Sequence, residues 1–206
     1  FVLLDDSHVV LGYQPVIDLP VADVRVGRRV SAVWASPAEA AADPEVRLAR
    51  FWALYFDPAH VAEQDRRNHI LRRQLVDEHE HDGASTRTCR VVPGRQLPGW
   101  ARAALGGELS FDETLSWVRG SRQLRLTVVP SVLSRRIHID GSYELTPRDP
   151  DRIDRSFAGT VRADLALVGG RVEREIVRDL ERSLAEAGRC TQAWLDRDAD
   201  RAADGA

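Results

Sequence analysis

The residues with the clearest potential to bind a metal ion lie in one short acidic stretch. His79 and His81 are separated by a single residue, and Asp77 precedes them at the same spacing. Alternate residues of a β-strand lie on one face, so a strand would place these side chains beside one another. Imidazole and carboxylate groups are zinc ligands. A motif this short is weak evidence for a metal site. The turn-forming residues Asp82 and Gly83 follow it, which favours the alternative that these charged side chains are solvated at the end of a strand. No metal site is therefore predicted, with His79 and His81 kept as candidates.

Glu113 is the candidate for acid–base chemistry. The segment around it alternates, which places Glu113 on the same face as Phe111, Leu115 and Trp117. A carboxyl group among apolar side chains holds its proton more tightly, and it can bind a ligand hydroxyl or transfer a proton. Two other arrangements are favoured for a charged residue: this face points to solvent, or Glu113 pairs with an arginine on a neighbouring strand. The choice among the three stays open.

A second group of polar residues has the types found in a hydrolytic triad, namely Ser131, Ser134, His138 and Asp140. Neither serine lies in a G-x-S-x-G pattern, which would expose the nucleophile on a sharp turn. His138 and Asp140 also alternate with isoleucines, and this pattern places the two polar side chains on the outer face of a strand. We therefore predict no catalytic residue apart from the candidate Glu113, and we expect no cofactor.

The elements that position these residues follow from the periodicity of the apolar side chains. Strands are predicted at residues 26–34, 74–81, 86–92, 108–118, 123–129, 135–145 and 153–167. One or two helices are predicted at 37–56, and single helices at 58–71 and 171–195. After residue 72 the strands follow one another at hairpin spacing, which indicates an antiparallel meander. Apolar side chains recur at helical spacing from Val172 to Leu195. That helix must bury one face, and the preceding sheet is its largest available partner.

The junction between the last strand and this helix carries a recognisable motif. Residues 159–173 end in a paired glycine, a basic residue, an aliphatic residue and a glutamate, which are Gly169, Gly170, Arg171, Val172 and Glu173. This junction, with Trp194 and Leu195 near the helix end, resembles that of a branch of uncharacterised bacterial proteins in the START-like helix-grip (SRPBCC) superfamily. The order of strand, helices, antiparallel strands and one long C-terminal helix resembles the same superfamily.

The resemblance implies an α+β fold, a helix-grip in which a curved antiparallel β-sheet wraps around a long C-terminal α-helix. It places this domain at residues 26–196, with an N-terminal extension at 1–25 and a disordered tail at 197–206. It also implies a deep apolar cavity that binds lipids, sterols, polyketides or other hydrophobic molecules. Some members only carry or sense such ligands, whereas others are cyclases or hydrolases, so the fold does not decide between binding and catalysis.

The expected lining of this cavity comes from the first predicted helix, the strands and the C-terminal helix. It comprises Phe51, Trp52, Tyr55, Phe111, Leu115, Trp117, Leu126, Phe157, Val161, Leu165, Ile176, Leu180 and Leu184. The aromatic cluster from Phe51 to Phe56 has two interpretations, either plain core packing or a lid over the cavity.

Three functions follow from these observations, in order of preference. The first is non-catalytic binding or transfer of a hydrophobic, lipid-like small molecule in the internal cavity. The alternative is a cyclase or hydrolase that acts on a hydrophobic substrate with Glu113 or a histidine. The third is an interaction module without a ligand, or an accessory part of a longer chain.

The composition narrows the partners and the location. The net charge of −3 predicts no nucleic-acid binding. The basic residues are all arginine, as expected from a GC-rich, bacterial genome, and no methionine is present, which suggests processing or a longer parent protein. Two cysteines make no disulfide framework, so a cytoplasmic protein is expected. No stretch is apolar enough to cross a membrane, although transient membrane contact stays open.

Overall fold

A computed structural model describes residues 11–12, 24–33, 44–94, 109–147, 152–166 and 168–204. In chain order its elements are β1 (Leu11–Gly12), β2 (Val24–Val33), α1 (Pro44–Tyr55), α2 (Pro58–Arg67), β3 (Ile70–His81), β4 (Ala84–Pro93), β5 (Phe111–Val118), β6 (Gln123–Pro130), β7 (Ile137–Pro147), β8 (Arg152–Ala163) and α3 (Gly169–Asp204). The first seven residues of the helix predicted at 37–56 lie outside the described residues, as does most of the predicted N-terminal extension at 1–25.

The described strands form one antiparallel sheet in the order β1-β2-β8-β7-β6-β5-β4-β3. From β3 to β8 each strand pairs with the next in sequence, and β2 pairs with β8. This arrangement confirms the predicted meander and the α+β helix-grip architecture. The turn between β3 and β4 has Asp82 at φ 51° and Gly83 at φ 76°. Positive φ at both central residues matches the right-handed twist of a tight hairpin.

Alternation along β6 defines the two faces of the sheet. Leu124, Leu126 and Val128 are buried, whereas the residues between them are exposed. We call the buried side the inner face. Because directly paired residues of neighbouring strands share a face, the pairing register identifies the inner-face residues of the other strands. One row of the inner face therefore runs through Trp117, Leu124, Tyr143 and Phe157.

Two glycines form a shallow depression in the inner face beneath the ring of Phe157. Gly141 and Gly159 are paired neighbours on β7 and β8. A Cβ atom at Gly141 would lie 2.4 Å from Phe157 Cζ, and one at Gly159 would lie 3.0 Å from Phe157 Cε1. The absence of side chains at these positions lets the ring lie close to the sheet.

Helix α2 ends earlier than the sequence predicted, and β3 begins earlier. Asp57 caps α2, because its Oδ1 accepts the backbone N–H groups of Ala59 and His60. The helix was expected to continue to residue 71 but ends at Arg67. His69 has φ 55°, which breaks the helix, and Ile70 starts the strand. Strand pairing with β4 thus overrides the local helical pattern.

Helix α3 packs against β2, β8 and α2. Trp194 Nε1 donates a hydrogen bond to Glu63 Oε2 at 2.8 Å, and Arg197 Nη2 donates to the same oxygen at 2.9 Å. The tail was predicted to be disordered from residue 197, but the helix continues to Asp204. Arg197 also donates to Ala193 O, and this contact lies beyond Leu195, where the predicted helix ends. Within the described residues, every helix is too short or too polar to span a bilayer.

Candidate functional site

The structure brings the predicted lining residues together at the inner face. All of them belong to one hydrophobic cluster or pack against it. The buried members are Phe51, Trp52, Leu126, Phe157, Val161 and Leu184, and the partly exposed members are Tyr55, Phe111, Leu115, Trp117, Leu165, Ile176 and Leu180. The partly exposed side chains come from α1, the sheet and α3, apart from Leu165, which lies between β8 and α3. Apolar side chains of three elements therefore point inward without being fully enclosed.

Helix α1 is held against the inner face by its aromatic side chains. Trp52 Nε1 donates a hydrogen bond to the carbonyl oxygen of Ser121 at 3.0 Å, in the turn between β5 and β6. The ring of Phe56, just past the helix end, stacks on Trp117 with centroids 4.3 Å apart. The aromatic cluster is therefore part of the core, and it also closes one side of the inner face.

Arg155 is a charged residue in the middle of this apolar region. It lies on the inner face of β8, on the same side as Ile153 and Phe157, and only 4% of it is exposed. Its Nη1 atom is buried and has no hydrogen-bond partner among the residues described above. Three rings surround the guanidinium carbon, with their centroids at 5.6 Å for Tyr55, 5.6 Å for Tyr143 and 6.0 Å for Phe51.

Tyr55 and Tyr143 place two phenol groups beside this arginine. Their ring centroids are 6.1 Å apart. Burial raises the pKa of Tyr55, although Arg155 opposes the shift. Burial raises the pKa of Tyr143 further, and Tyr55 adds to the effect. Both phenols therefore keep their protons at neutral pH and act as hydrogen-bond donors rather than as bases.

A separate ion-pair cluster lies at the β3 end of the inner face. Arg73 Nη1 donates to Glu113 Oε1 at 2.5 Å, and Arg73 Nε donates to Asp65 Oδ2 at 2.9 Å. Burial alone would lower the pKa of Arg73, but the two carboxylates raise it. Glu113 lies on the inner face, as the alternation predicted, and it is an ion-pair partner of an arginine two strands away. The cluster connects α2 to β3 and β5.

The candidate metal ligands lie on the opposite face of the sheet. His79 and His81 have side chains that are 70% and 90% exposed, and they contact Asp77 and Asp82 respectively. In the described part of the chain, no group of three or more histidine, cysteine, aspartate or glutamate side chains is arranged to hold a metal ion.

The triad-type residues lie on the surface. His138 and Asp140 are exposed, and Asp140 accepts a hydrogen bond from the hydroxyl group of Thr127 at 3.0 Å. Ser131 Oγ accepts the backbone N–H of Ser110 at 3.3 Å. These contacts are those of surface polar groups and do not form a nucleophile–base pair.

Glu173 takes a structural part that the sequence did not show. It is 3% exposed, and its Oε1 accepts the backbone N–H of Ala163 at 2.8 Å. A carboxylate near the start of a helix also suits the positive end of the helix dipole. Glu173 connects the first turns of α3 to the last residue of β8. The paired glycine allows this approach, because a Cβ at Gly169 would lie 2.4 Å from Ala163 O.

Sequence reasoning missed Arg155 and Tyr143 as site residues. Arg155 is two residues from Ile153 and from Phe157, and Tyr143 is four residues from Ile139, so alternation along the strands places each on the same face as these apolar residues. An arginine at an inward position of an apolar strand was therefore a signal available in the sequence.

A model of one protein family matches residues 39–195, and the description of this family is "Protein of unknown function (DUF2505)". The sequence matches no curated protein.

Solved structures show the same fold at low sequence identity. The Zhui aromatase/cyclase from Streptomyces sp. R1128 is 11% identical with a TM-score of 0.55, and the match covers 85% of this chain and 94% of that one. A START superfamily protein from Mycobacterium smegmatis is 12% identical with a TM-score of 0.51, covering 84% and 97%. Dicamba monooxygenase bound to dicamba is 16% identical with a TM-score of 0.54, covering 90% of this chain but 52% of that protein. These matches confirm the START-like helix-grip fold.

Proposed function

The chain belongs to this DUF2505 family, and we propose that it binds a hydrophobic small molecule at the inner face, between the sheet and helices α1 and α3. The observation that carries this proposal is the incomplete enclosure of inward-pointing apolar side chains. Leu115 on the sheet and Ile176 and Leu180 on α3 belong to the cluster yet keep exposed surface. Apolar side chains that a protein interior leaves partly uncovered are suited to contact an apolar ligand.

The relatives of known structure support the same proposal. An aromatase/cyclase and an enzyme bound to dicamba share the fold. Fold likeness alone does not transfer an activity, so the ligand of this chain has to be inferred from its own residues. A lipid-like ligand and a cytoplasmic location stay predictions from the sequence.

Binding without catalysis is the function that the inner face supports best. A catalytic role would need a group free to exchange a proton, and the inward carboxylate of Glu113 is engaged by Arg73 at 2.5 Å. The phenols of Tyr55 and Tyr143 have raised pKa values and remain donors. The cyclase or hydrolase alternative therefore has polar groups for orienting a substrate but no free base among the described inner-face residues.

The test is saturable binding of Nile red, a neutral dye whose emission shifts in apolar surroundings. We expect binding with one dye per chain and recovery of an apolar compound by organic extraction of the purified protein. Leu115→Trp fills space at the inner face and is expected to weaken dye binding by at least about tenfold. Val129→Trp is the matched control, because Val129 is 43% exposed on the outer face of the next strand.

Circular dichroism confirms that each variant remains folded. If the wild-type protein binds no dye and yields no apolar compound, the proposal is wrong. Equal weakening by both tryptophan variants would place the dye away from the inner face, and it would also contradict the proposal.

A further inference from the structure

The charge of Arg155 is buried, and no carboxylate of the described residues balances it. An arginine guanidinium stays charged in proteins, and a buried charge is normally ion-paired and hydrogen-bonded. In the described residues no carboxylate forms an ion pair with Arg155, and its Nη1 has no hydrogen-bond partner. The surrounding rings lie 5.6 Å to 6.0 Å from the guanidinium carbon, at the outer limit of an effective cation–π contact. These contacts do not replace hydrogen bonds to the guanidinium.

The nearby carboxylates are engaged elsewhere. Glu113 and Asp65 both bind Arg73, which has two acidic partners, whereas Arg155 has no acidic partner in the part of the chain that the structure describes. Asp154, the neighbour of Arg155 in the chain, alternates to the other face of β8. The polar groups next to Arg155 are the phenols of Tyr55 and Tyr143, which are uncharged, interact with each other, and both donate and accept hydrogen bonds. This part of the inner face therefore offers a positive charge and phenol hydroxyl groups, and among the described residues it lacks an acceptor with negative charge.

We propose that the bound molecule is a carboxylic acid with a hydrocarbon body, and that its carboxylate binds the guanidinium of Arg155 at the inner face. The inference rests on the proposed function and names the chemical class of its ligand. The planar guanidinium matches a carboxylate in a two-bond geometry. The phenols of Tyr55 and Tyr143 add donors beside it, and the apolar side chains of the cluster contact the hydrocarbon body.

The experiment compares naphthalene carboxylate with its methyl ester as competitors of Nile red at neutral pH. The two probes share the ring system and differ in the negative charge. For the wild-type protein, we expect the acid to displace the dye at a concentration at least about tenfold below that of the ester. Arg155→Met is expected to weaken the acid by roughly 10–100-fold while changing the ester by no more than about twofold.

Two further variants separate charge from folding. Arg162→Met is the matched control, because Arg162 is exposed on the outer face of the same strand, and it should leave both probes unchanged. Arg155→Lys keeps a positive charge with a different geometry and should bind the acid with intermediate affinity. The comparison of acid and ester on the wild-type protein needs no variant, so it decides the question even if Arg155→Met does not fold.

The outcomes distinguish the two proposals. Dye and ester binding without a preference for the acid would overturn the carboxylate inference and leave the hydrophobic site in place. The same conclusion follows if Arg155→Met weakens acid and ester equally. If neither the dye nor either probe binds, the proposed function fails, and the inference fails with it.

Discussion

His60 on α2 and Thr191 on α3 meet in a buried contact, with His60 Nε2 3.2 Å from Thr191 Oγ1. None of His60 is exposed, and Thr191 also donates to Ala187 O at 2.9 Å. Burial lowers the pKa of His60, because the charged imidazolium loses its hydration, and the positive charge of Arg155 acts in the same direction. The interface between the two helices is therefore built around a neutral histidine.

This contact predicts a decline in stability as the solution becomes acidic. The pKa of His60 in the native state lies below its ordinary value of 6.5. At pH values between the two, the unfolded chain therefore binds a proton at His60 that the native protein does not bind. The contribution of His60 to the free energy of unfolding is fully present above pH 6.5. It is lost as the pH falls below 6.5, by at most about 1.4 kcal/mol per pH unit. Urea unfolding between about pH 7.5 and pH 5 measures the slope. His60→Gln should remove this component, whereas His138→Gln, at an exposed position, should keep it. Identical slopes for wild type and His60→Gln would contradict the prediction.

Glu63 contributes stability in a lower pH range. Hydrogen bonds from Arg197, Arg67 and Trp194 lower its pKa from 4.5 to about 2. Its contribution is therefore present above pH 4.5 and is lost as the pH falls toward 2. This range does not overlap the upper part of the His60 titration, so a pH series resolves two separate losses of stability.

Replacing this carboxylate tests its role in holding α2 against α3. Glu63→Gln is expected to lower the free energy of unfolding by about 1–3 kcal/mol, because two arginines and an indole lose a charged acceptor. Glu175→Gln removes a surface ion pair with Arg178, and should change it by less than about 0.5 kcal/mol. Urea unfolding at neutral pH measures both values. Equal effects of the two substitutions would show that Glu63 is an ordinary surface charge.

The depression beneath Phe157 predicts a specific steric effect. Gly141→Ala places a methyl group where the ring now lies, since the added Cβ would be 2.4 Å from Phe157 Cζ. We expect a loss of roughly 1–3 kcal/mol from such overpacking. Phe157→Leu in the same chain should recover part of this loss, which a double-mutant cycle detects as a coupling energy. Additive effects of the two substitutions would mean that the ring and the glycine do not depend on each other.

The sequence was sufficient for elements whose pattern is local. The stripe from Val172 to Leu195 predicted α3, and alternation around Leu124 and Leu126 predicted β6 and its buried face. It failed at residues 70 and 71, which were predicted to be helical, because the chain turns at His69 into a strand paired with β4. Pairing between distant segments decided that boundary, and it is not encoded in a short window.

The candidate site depended on contacts that no local pattern reveals. Alternation along β8 places Arg155 on the inner face. The rings that lie near its guanidinium group include those of Phe51 and Tyr55, which are about a hundred residues earlier in the chain. Likewise, alternation placed Glu113 on the inner face, but its partner Arg73 is 40 residues away and two strands across the sheet. The sequence therefore indicates which faces are buried, and the fold decides which charges are balanced there.

The unbalanced charge of Arg155 predicts that the ligand-free protein gains stability when the charge is removed. Burying an unpaired ion costs several kcal/mol, whereas each distant ring contact returns about 0.5–2 kcal/mol at most. Arg155→Met keeps an unbranched apolar side chain of comparable length and should raise the melting temperature of the ligand-free protein.

Melting temperatures measured with and without naphthalene carboxylate show how the charge of Arg155 affects both the stability of the protein and the binding of the acid. The acid should raise the melting temperature of the wild-type protein by mass action and leave that of Arg155→Met nearly unchanged. Arg162→Met serves as the control, because its side chain is exposed on the same strand, and it should respond to the acid as the wild type does. A lower melting temperature for Arg155→Met would show that the ring contacts and packing outweigh the buried charge. In that case Arg155 is a structural residue of the core and needs no anionic ligand to explain it.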